Sequence, residues 1–324
     1  MTNIAIVGAT GLVGERLCDI VADKLPSANV RLFGNTSVGS RVMFRNKSIV
    51  VESCDRLLCG KIDYAMFMAT NDVSAQYIPP LVAQGVTCID NSSHFRLKKD
   101  VPLVVPCING ELVKGNRLIA NPNCSTIQVV VAVNALKDLQ PTKMTAVTYQ
   151  AVSGAGKAGL EDLVKCNCYG KLRSFSHPIC DNVIPCIGEV RKDGTTTEEL
   201  KMIDESRKIL GLPRLRVNSF CARIPVTIGH SVFVNLQLKH KVNIREIRTL
   251  LKDAPNVLLF DDAENSLYPM PTMLRNTKYV GVGRIVKDPT ANAVNFFVVA
   301  DNLLRGAAYN AFEILQTAMS EEKQ

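Results

Sequence analysis

Residues 3 to 14 are Asn-Ile-Ala-Ile-Val-Gly-Ala-Thr-Gly-Leu-Val-Gly, and this stretch determines how the first part of the chain folds. The segment 3–7 is mostly apolar, as expected of a short buried strand. Gly8, Gly11 and Gly14 follow with G-x-x-G-x-x-G spacing and open a helical pattern. Glycines between a strand and a helix allow a tight turn, close approach of the backbone to a pyrophosphate and close helix–strand packing. We therefore predict a dinucleotide-binding βα unit here.

Strands and helices continue to alternate as far as residue 90. Apolar strands are predicted at 29–33, 65–69 and 86–90, and they are followed by small polar residues such as Thr70 and Asn71. This alternation is typical of a parallel, doubly wound sheet that binds ligands at the C-terminal ends of its strands.

The pattern changes after residue 122. Segments 144–151, 216–222, 231–239 and 295–299 are strand-like, and several of them alternate apolar with polar residues. Such alternation favours a mixed or antiparallel sheet with one covered face. A helical pattern over 303–319 ends the chain. Because 324 residues exceed the usual size of a single core, we predict two domains.

One cysteine stands where a turn becomes a long apolar helix. Residues 121–128 are Asn-Pro-Asn-Cys-Ser-Thr-Ile-Gln, and the apolar run continues through Leu136. Asn123 is a good helix cap. Cys124 would then lie in the first turn, where the helix dipole and unpaired N–H groups favour a thiolate. We predict a nucleophile at Cys124; the alternative is a small apolar residue that begins a core helix.

Several residues are candidate partners for this thiol. His230 follows a glycine at a strand entrance, and a cysteine nucleophile benefits from a histidine that takes and returns a proton. Gln150 ends a strand and is suited to orienting an acyl intermediate. The alternative for His230 is a surface histidine or a hydrogen-bonded core histidine, and the alternative for Gln150 is a strand-end amide that bonds the following glycine turn.

Two further clusters are suited to charged groups. Arg96 follows a strand end, and its planar guanidinium matches phosphate or carboxylate. Thr196 and Glu199 form a capping-box pattern that predicts a helix start. Glu198 and Lys201 lie three apart on that helix, where a surface ion pair is the local interpretation.

Composition narrows the classes of function. The net charge of +8 comes from scattered residues, and the chain has no Trp and only 6% aromatic residues, which favours a small anionic substrate or cofactor over nucleic acid. No signal segment or membrane-spanning stretch is present, so we expect a cytoplasmic location without membrane association. Cys166-Asn-Cys168 and the pair Cys54/Cys59 lack the doubled C-x-x-C spacing of a zinc site, so no metal is predicted.

Taken together, these motifs resemble the aspartate-β-semialdehyde dehydrogenase family over nearly the whole chain. The matching segments, in order, are GATGLVG, NSSHFR, NPNCSTIQ, QAVSGAGKAG, EELK, RIPVTIGH, VGRI and DNLLRGAA. The resemblance implies a Rossmann-type parallel sheet in a dinucleotide domain, residues 1–122 with 303–324. It also implies an α+β catalytic and dimerisation domain with a mixed sheet, residues 123–302.

The resemblance also implies residue roles. Cys124 would be the nucleophile and His230 the acid/base, with Gln150 orienting the acyl group and Asn123 beside the thiol. The implied substrate-binding residues are Arg96 and Lys201 for phosphate, Arg223 for the α-carboxylate, Glu198 for the amino group, and Ser153. The predicted cofactor-binding residues are Gly8, Thr10, Gly11, Leu12, Val13, Gly14, Asn35, Thr36, Ser37 and Gly154.

The implied reaction is reductive dephosphorylation of L-aspartyl-4-phosphate to L-aspartate 4-semialdehyde, in lysine, threonine and methionine biosynthesis. NADP is the expected cofactor because no acidic residue follows the second strand. Many family members carry an arginine in that loop, whereas this chain has Asn35-Thr-Ser-Val-Gly39, which leaves NAD open. A homodimer is expected, with a tetramer as the alternative. The competing functions are N-acetyl-γ-glutamyl-phosphate reductase and a non-catalytic binding module.

Overall fold

The computed structural model describes residues 1–165 and 171–321, so Cys166 and Cys168 lie outside the described residues. The chain divides into two compact units. Unit 1 is Met1–Pro122 with the C-terminal residues from Ala307 on, and unit 2 is Asn123–Gly306. The second boundary lies after Gly306 rather than at position 303, because the residues after Asp301 bond back to it. The N–H groups of Leu303 and Leu304 donate to Asp301 Oδ1, and that of Gly306 donates to its carbonyl.

Unit 1 contains the predicted parallel sheet. Its strands are β1 (Asn3–Val7), β2 (Asn29–Gly34), β3 (Arg41–Phe44), β4 (Lys47–Val50), β5 (Glu52–Ser53), β6 (Tyr64–Phe67), β7 (Thr87–Asp90) and β8 (Leu118–Ala120). Its first helices are α1 (Leu12–Lys24), α2 (Asn71–Ala83) and α3 (Pro106–Asn109). Six strands pair in parallel in the order β5-β2-β1-β6-β7-β8, which confirms the Rossmann-type prediction.

The turn from β1 to α1 depends on its glycines. Gly8 has φ +82°, and a Cβ there would lie 2.2 Å from the carbonyl oxygen of Met68 at the end of β6. A Cβ on Gly14 would lie 2.1 Å from the carbonyl oxygen of Gly8. A larger residue at either position would therefore separate the helix from the strands it follows.

The sequence did not predict the hairpin β3–β4, which pairs antiparallel outside the main sheet. Its turn residues Arg45 and Asn46 have φ of 49° and 60°, and a two-residue turn of this kind usually contains glycine. Arg45 compensates with its side chain: the guanidinium donates to the carbonyls of Leu25 and Ala28 and lies over the Phe44 ring.

Unit 2 contains a mixed sheet and the helices that cover it. The helices are α4 (Cys124–Asn134), α5 (Gly156–Val164), α6 (Thr197–Leu210), α7 (Ile244–Lys252) and α8 (Pro271–Leu274). The strands are β9 (Pro141–Ala151), β10 (Arg216–Ile224), β11 (His230–Leu238), β12 (Val257–Leu259), β13 (Val280–Lys287) and β14 (Ala293–Ala300). The order β10-β9-β11-β14-β13-β12 combines parallel and antiparallel pairs, which confirms the predicted mixed sheet.

Two helix boundaries differ from the prediction. Helix α4 ends at Asn134 rather than Leu136. The last helix, α9, begins at Tyr309 and ends at Glu321 in unit 1, because residues 304–308 form a wider π-helical turn instead of α-helix. Buried residues of α9, among them Phe312 and Leu315, pack into the core of unit 1 with α1 and β1.

Among the described residues, no helix is both long and apolar enough to cross a membrane. In the same part of the chain, no three His, Cys, Asp or Glu side chains come together in a way that could hold a metal ion.

Candidate active site

Cys124 is the first residue of α4, and Asn123 caps the helix as predicted. The side-chain oxygen of Asn123 accepts from the backbone N–H of Ser125 at 3.0 Å and of Thr126 at 3.4 Å. The partly exposed thiol therefore lies at the positive end of an 11-residue helix whose remaining residues are largely buried. This environment favours a sulfur anion.

The imidazole of His230 faces this sulfur. Its Nε2 lies 3.2 Å from Cys124 Sγ, and its Nδ1 accepts the backbone N–H of Ala151 at 3.0 Å. Because Nδ1 accepts a hydrogen bond, the ring proton of neutral His230 belongs on Nε2. Nε2–H therefore points at the sulfur.

His230 is neutral over the whole physiological range. The ring is fully buried, and desolvation together with the positive charge of Arg223 lowers its pKa to about 3, although Glu198 acts in the opposite direction. A neutral donor beside the sulfur suits stabilisation of a developing oxyanion or a leaving thiolate.

Arg223 supports the same arrangement from the end of β10. Its Nη1 donates to the carbonyl of Ala151 at 2.8 Å, so Ala151 bonds His230 through its backbone N–H and Arg223 through its carbonyl oxygen. The side chain is buried, and its guanidinium carbon lies 5.9 Å from the centre of the Phe175 ring. A cation in such a place is suited to a carboxylate ligand.

A cavity of about 380 Å³ opens beside Arg223. It is lined by Ala155, Ser174, Phe175, Ser176, Ile184, Cys186, Ile187, Gly188 and Arg223. Its wall combines one cation, two hydroxyls and apolar surface, which suits a small anionic organic molecule.

Glu198 accepts hydrogen bonds from three predicted site residues. Its Oε1 accepts from Asn123 Nδ2 at 3.0 Å and Gln150 Nε2 at 3.2 Å, and its Oε2 pairs with Lys201 Nζ at 3.1 Å. Burial would raise the pKa of Glu198, but the charge of Lys201 and these hydrogen bonds outweigh burial and lower it. The carboxylate is therefore an anion beside the nucleophile.

Ser153 and Gly154 lie on the turn after β9. The hydroxyl of Ser153 bonds the side-chain amide of Asn302, whose oxygen also accepts the N–H of Gly229 at 2.9 Å. A Cβ on Gly154 would lie 2.7 Å from Arg223 Nη1 and 3.3 Å from His230 Cε1. Gly154 therefore leaves room for the two functional side chains.

The predicted cofactor residues of unit 1 border a cavity of about 200 Å³. Gly8, Thr10, Gly11, Asn35, Thr36 and Ser37 line it, together with Val7, Gly34, Met68, Ala69, Thr70 and Val73. Thr10 Oγ1 donates to Ser37 Oγ at 3.0 Å and so joins the glycine turn to the loop after β2. Leu12, Val13 and Gly14 begin α1 beside it.

These residues fit a dinucleotide. The free N–H groups of the first turn of α1 suit a pyrophosphate, and the close contacts of Gly8 and Gly14 allow the backbone to approach it. Arg41, the first basic residue after β2, does not line this cavity and donates to Ser48 within the β3–β4 hairpin.

Arg96 lies in unit 1, whereas the other predicted substrate residues lie in unit 2. It is buried, and its Nη2 donates to the carbonyl of Asn91 at 2.7 Å.

Thr70, named above as a polar residue after a strand, lines the cofactor cavity together with Met68 and Ala69, which the sequence did not predict as site residues. Asn302 and Glu205 had no local signal, because their partners are distant in sequence.

Comparison with known proteins shows the family to which the chain belongs. A family model described as the NAD binding domain of semialdehyde dehydrogenase matches residues 3–116, and one described as its dimerisation domain matches residues 133–305. The aspartate-semialdehyde dehydrogenase of Aquifex aeolicus is 40% identical over 98% of this chain and 98% of its own. That of Bacillus subtilis is 36% identical over 97% and 96%.

The chain belongs to the aspartate-semialdehyde dehydrogenase family. It is thus an oxidoreductase with a nucleotide-binding Rossmann domain. Among solved structures, aspartate semialdehyde dehydrogenase II of Vibrio cholerae, complexed with ASA, matches with a TM-score of 0.93 and 33% identity. The match covers 99% of this chain and 98% of the other. The family resemblance inferred from the motifs is therefore confirmed.

Proposed function

We propose that this protein catalyses the NADP-dependent reductive dephosphorylation of L-aspartyl-4-phosphate to L-aspartate 4-semialdehyde through a Cys124 thioester. The distance of 3.2 Å between Cys124 Sγ and His230 Nε2 is the observation on which the proposal rests. Membership in the aspartate-semialdehyde dehydrogenase family supports this substrate class. The role that we propose for the reaction is amino-acid biosynthesis in the cytoplasm.

The first half of the reaction is acyl transfer to sulfur. The Cys124 thiolate attacks the carbonyl carbon of the acyl phosphate, a C–S bond forms, and the C–O bond to phosphate breaks. Nε2–H of His230 donates to the carbonyl oxygen while negative charge develops on it. Lys201 binds the departing phosphate, and Arg96 stays a predicted phosphate-binding residue.

The second half reduces the thioester. The predicted cofactor-binding residues of unit 1 would hold a nicotinamide dinucleotide, which would supply the hydride for this step when bound. His230, the predicted acid/base, donates its Nε2–H as a hydrogen bond to the negatively charged oxygen of the resulting tetrahedral thiohemiacetal, which Gln150 helps to orient. The C–S bond then breaks, the aldehyde leaves, and sulfur departs with the bonding electrons as a thiolate.

Substrate recognition follows from the charges of unit 2. Arg223 binds the α-carboxylate, and Glu198 binds the α-ammonium. Glu198 pairs with Lys201, whose side chain is 30% exposed. The substrate ammonium would replace Lys201 at the carboxylate, which releases the lysine for phosphate. An acetylated amine offers no such charge, so this exchange favours the aspartyl substrate over an N-acetyl-γ-glutamyl one.

NADP is the proposed cofactor because the cavity wall after β2 consists of Asn35, Thr36 and Ser37, with no carboxylate to repel a 2′-phosphate. Amides and hydroxyls also tolerate a 2′-hydroxyl, so NAD use at lower efficiency is part of the proposal.

A homodimer is the proposed assembly. On the face of the unit 2 sheet opposite Gln150, one row of partly exposed apolar residues crosses four strands. Its members are Phe220, Val147, Phe233 and Phe297, which pair in register. A second copy of this face would cover the row.

The test is an assay of semialdehyde oxidation with and without inorganic phosphate, run with NADP and with NAD. We expect rapid phosphate-dependent reduction of NADP. Turnover of N-acetyl-glutamate semialdehyde instead, or of neither substrate, would refute the assignment.

A further inference from the structure

Helix α6 presents two carboxylates to the residue before the nucleophile. Glu198 and Glu205 are seven residues apart, close to two helical turns, and so lie on the same face of the helix. Glu198 Oε1 accepts from the side chain of Asn123 at 3.0 Å, whereas Glu205 Oε2 accepts the backbone N–H of Asn123 at 2.7 Å. The proposed function uses Glu198 and assigns nothing to Glu205.

These contacts fix the orientation of Asn123. Its side-chain oxygen accepts the N–H groups of Ser125 and Thr126, its side-chain nitrogen donates to Glu198, and its backbone N–H donates to Glu205. The peptide before Asn123 is thereby anchored on α6. Because Cys124 follows directly, the backbone geometry of Asn123 sets the direction in which the Cys124 side chain leaves the helix.

Burial of the Glu205 carboxylate in this position is energetically unfavourable. It is 1% exposed, and a carboxylate removed from water destabilises the folded state unless it accepts strong hydrogen bonds. An apolar residue could pack α6 against α4, but it would leave the buried N–H of Asn123 without this acceptor. The short charge-assisted bond to Asn123 is therefore a feature that packing alone does not explain.

We propose that Glu205 is a positioning residue for Cys124. By accepting the N–H of Asn123, it keeps the first turn of α4 in the orientation that places Sγ 3.2 Å from His230 Nε2. The inference rests on the proposed function, in which Cys124 is the nucleophile. A displacement of about 1 Å at a reacting atom costs on the order of 10²-fold in rate.

Two substitutions separate the hydrogen bond from the charge. Glu205→Gln keeps an oxygen acceptor at the same distance but removes the charge. Glu205→Asp keeps the charge but withdraws it from Asn123 by one methylene group. The matched control is Glu199→Gln, which alters another buried carboxylate of α6. Glu199 accepts the N–H of Thr196 at 2.8 Å and has no part in the nucleophile turn.

The experiment measures kcat and KM in the phosphate-dependent assay, with Tm for each variant. We expect Glu205→Asp to lower kcat by about 10²-fold while both substrate KM values stay within about twofold. Glu205→Gln should keep kcat within about threefold of the parent protein. Glu199→Gln should lower Tm with kcat unchanged.

Three results would overturn the proposal: an unchanged kcat in Glu205→Asp, an equal loss in Glu205→Gln, or an equal loss in Glu199→Gln. Should Glu205→Asp fail to fold, Glu205→Gln decides alone, since a kcat more than about tenfold below the parent would refute the hydrogen-bond role. Cys124→Ala distinguishes a failure of the proposed function from a failure of the positioning role alone. If that variant stays active the proposed function fails, whereas an inactive Cys124→Ala with an unaffected Glu205→Asp refutes only the positioning role.

Discussion

The backbone N–H of Ala151 donates to Nδ1 of His230 at 3.0 Å, and this bond determines that Nε2–H is what faces Cys124. The tautomer has a chemical consequence. Acyl transfer to a thiolate and reduction of the thioester need no net proton from the ring, so a neutral donor is sufficient for both steps. His230 then resembles the neutral imidazole donors of other enzymes more than a charged proton shuttle.

The pH profile of turnover tests this tautomer. Because the pKa of His230 lies near 3, the ring does not change charge between pH 5 and 8. We predict that kcat shows no inflection near pH 6.5, the ordinary histidine value. A step of kcat near pH 6.5 that disappears in His230→Gln would contradict it. The substitution itself should lower kcat by about 10²- to 10³-fold, the usual effect of removing one oxyanion donor.

Protein stability should depend on the same group. The unfolded chain binds a proton at His230 below pH 6.5 that the folded protein does not bind until about pH 3, so stability falls as pH decreases through this window. The free energy of unfolding changes by at most about 1.4 kcal/mol per pH unit from this one group. The lowered pKa of Glu198 stabilises the folded protein above pH 4.5, so Glu198 makes stability depend on pH only below that value. Urea unfolding at pH 6.5 and 5.0 should show a smaller difference for His230→Gln than for the parent or for His240→Gln, an exposed control.

Replacing the nucleophile should abolish turnover without affecting cofactor binding. Cys124→Ala is expected to lose roughly 10⁴-fold or more in kcat, while binding of NADPH, measured by the fluorescence of its dihydronicotinamide ring, stays within about twofold. Cys221→Ala is the control, because Cys221 is buried on β10 and burial raises its pKa to about 11. Equal losses in both variants would point to a folding defect.

Arg223 should affect both substrate binding and catalysis. Arg223→Lys keeps the charge but loses the planar fork and the bond to the Ala151 carbonyl. We expect KM for the semialdehyde to rise by at least about tenfold and kcat to fall as well, because the backbone N–H of the same residue, Ala151, orients His230. The KM for NADP should not change. A variant with altered NADP affinity and normal substrate use would remove Arg223 from the substrate site.

A carboxylate placed after β2 should reverse the cofactor preference. Asn35→Asp adds a charge to the cavity wall, where it would repel a 2′-phosphate and accept a 2′-hydroxyl. The KM for NADP should increase at least about tenfold, equal to about 1.4 kcal/mol, while the KM for NAD should not increase. Ser48→Asp, on the exposed hairpin, adds the same charge without this effect. If the two variants change the KM for NADP by the same factor, the loop does not distinguish a 2′-phosphate from a 2′-hydroxyl.

Elements with their own periodic pattern could be predicted from the sequence. β1 was predicted at its observed bounds, and the position of Cys124 at a capped helix start followed from local turn chemistry. β13 was missed because Gly281 and Gly283 interrupt its pattern. A Cβ on Gly283 would lie 1.8 Å from the carbonyl oxygen of Phe260, so the glycine is required by a neighbour that the sequence does not identify.

The site shows the same division. Cys124 and His230 could be predicted as site residues from the known reactivity of their side chains. The acceptor role of Glu205 could not, because it exists only where α6 packs beside α4. The tautomer of His230 likewise depends on the end of β9, which is 79 residues away in sequence.

Covalent trapping tests the central claim most directly. The protein is incubated with L-aspartate 4-semialdehyde and NADP without phosphate, so that the acyl-enzyme forms but cannot be released to phosphate. Mass spectrometry of the digested protein should find one aspartyl group on the peptide containing Cys124, and added phosphate should remove it. An unmodified Cys124 in a protein that reduces NADP, or an aspartyl group on a different residue, would contradict the thioester mechanism.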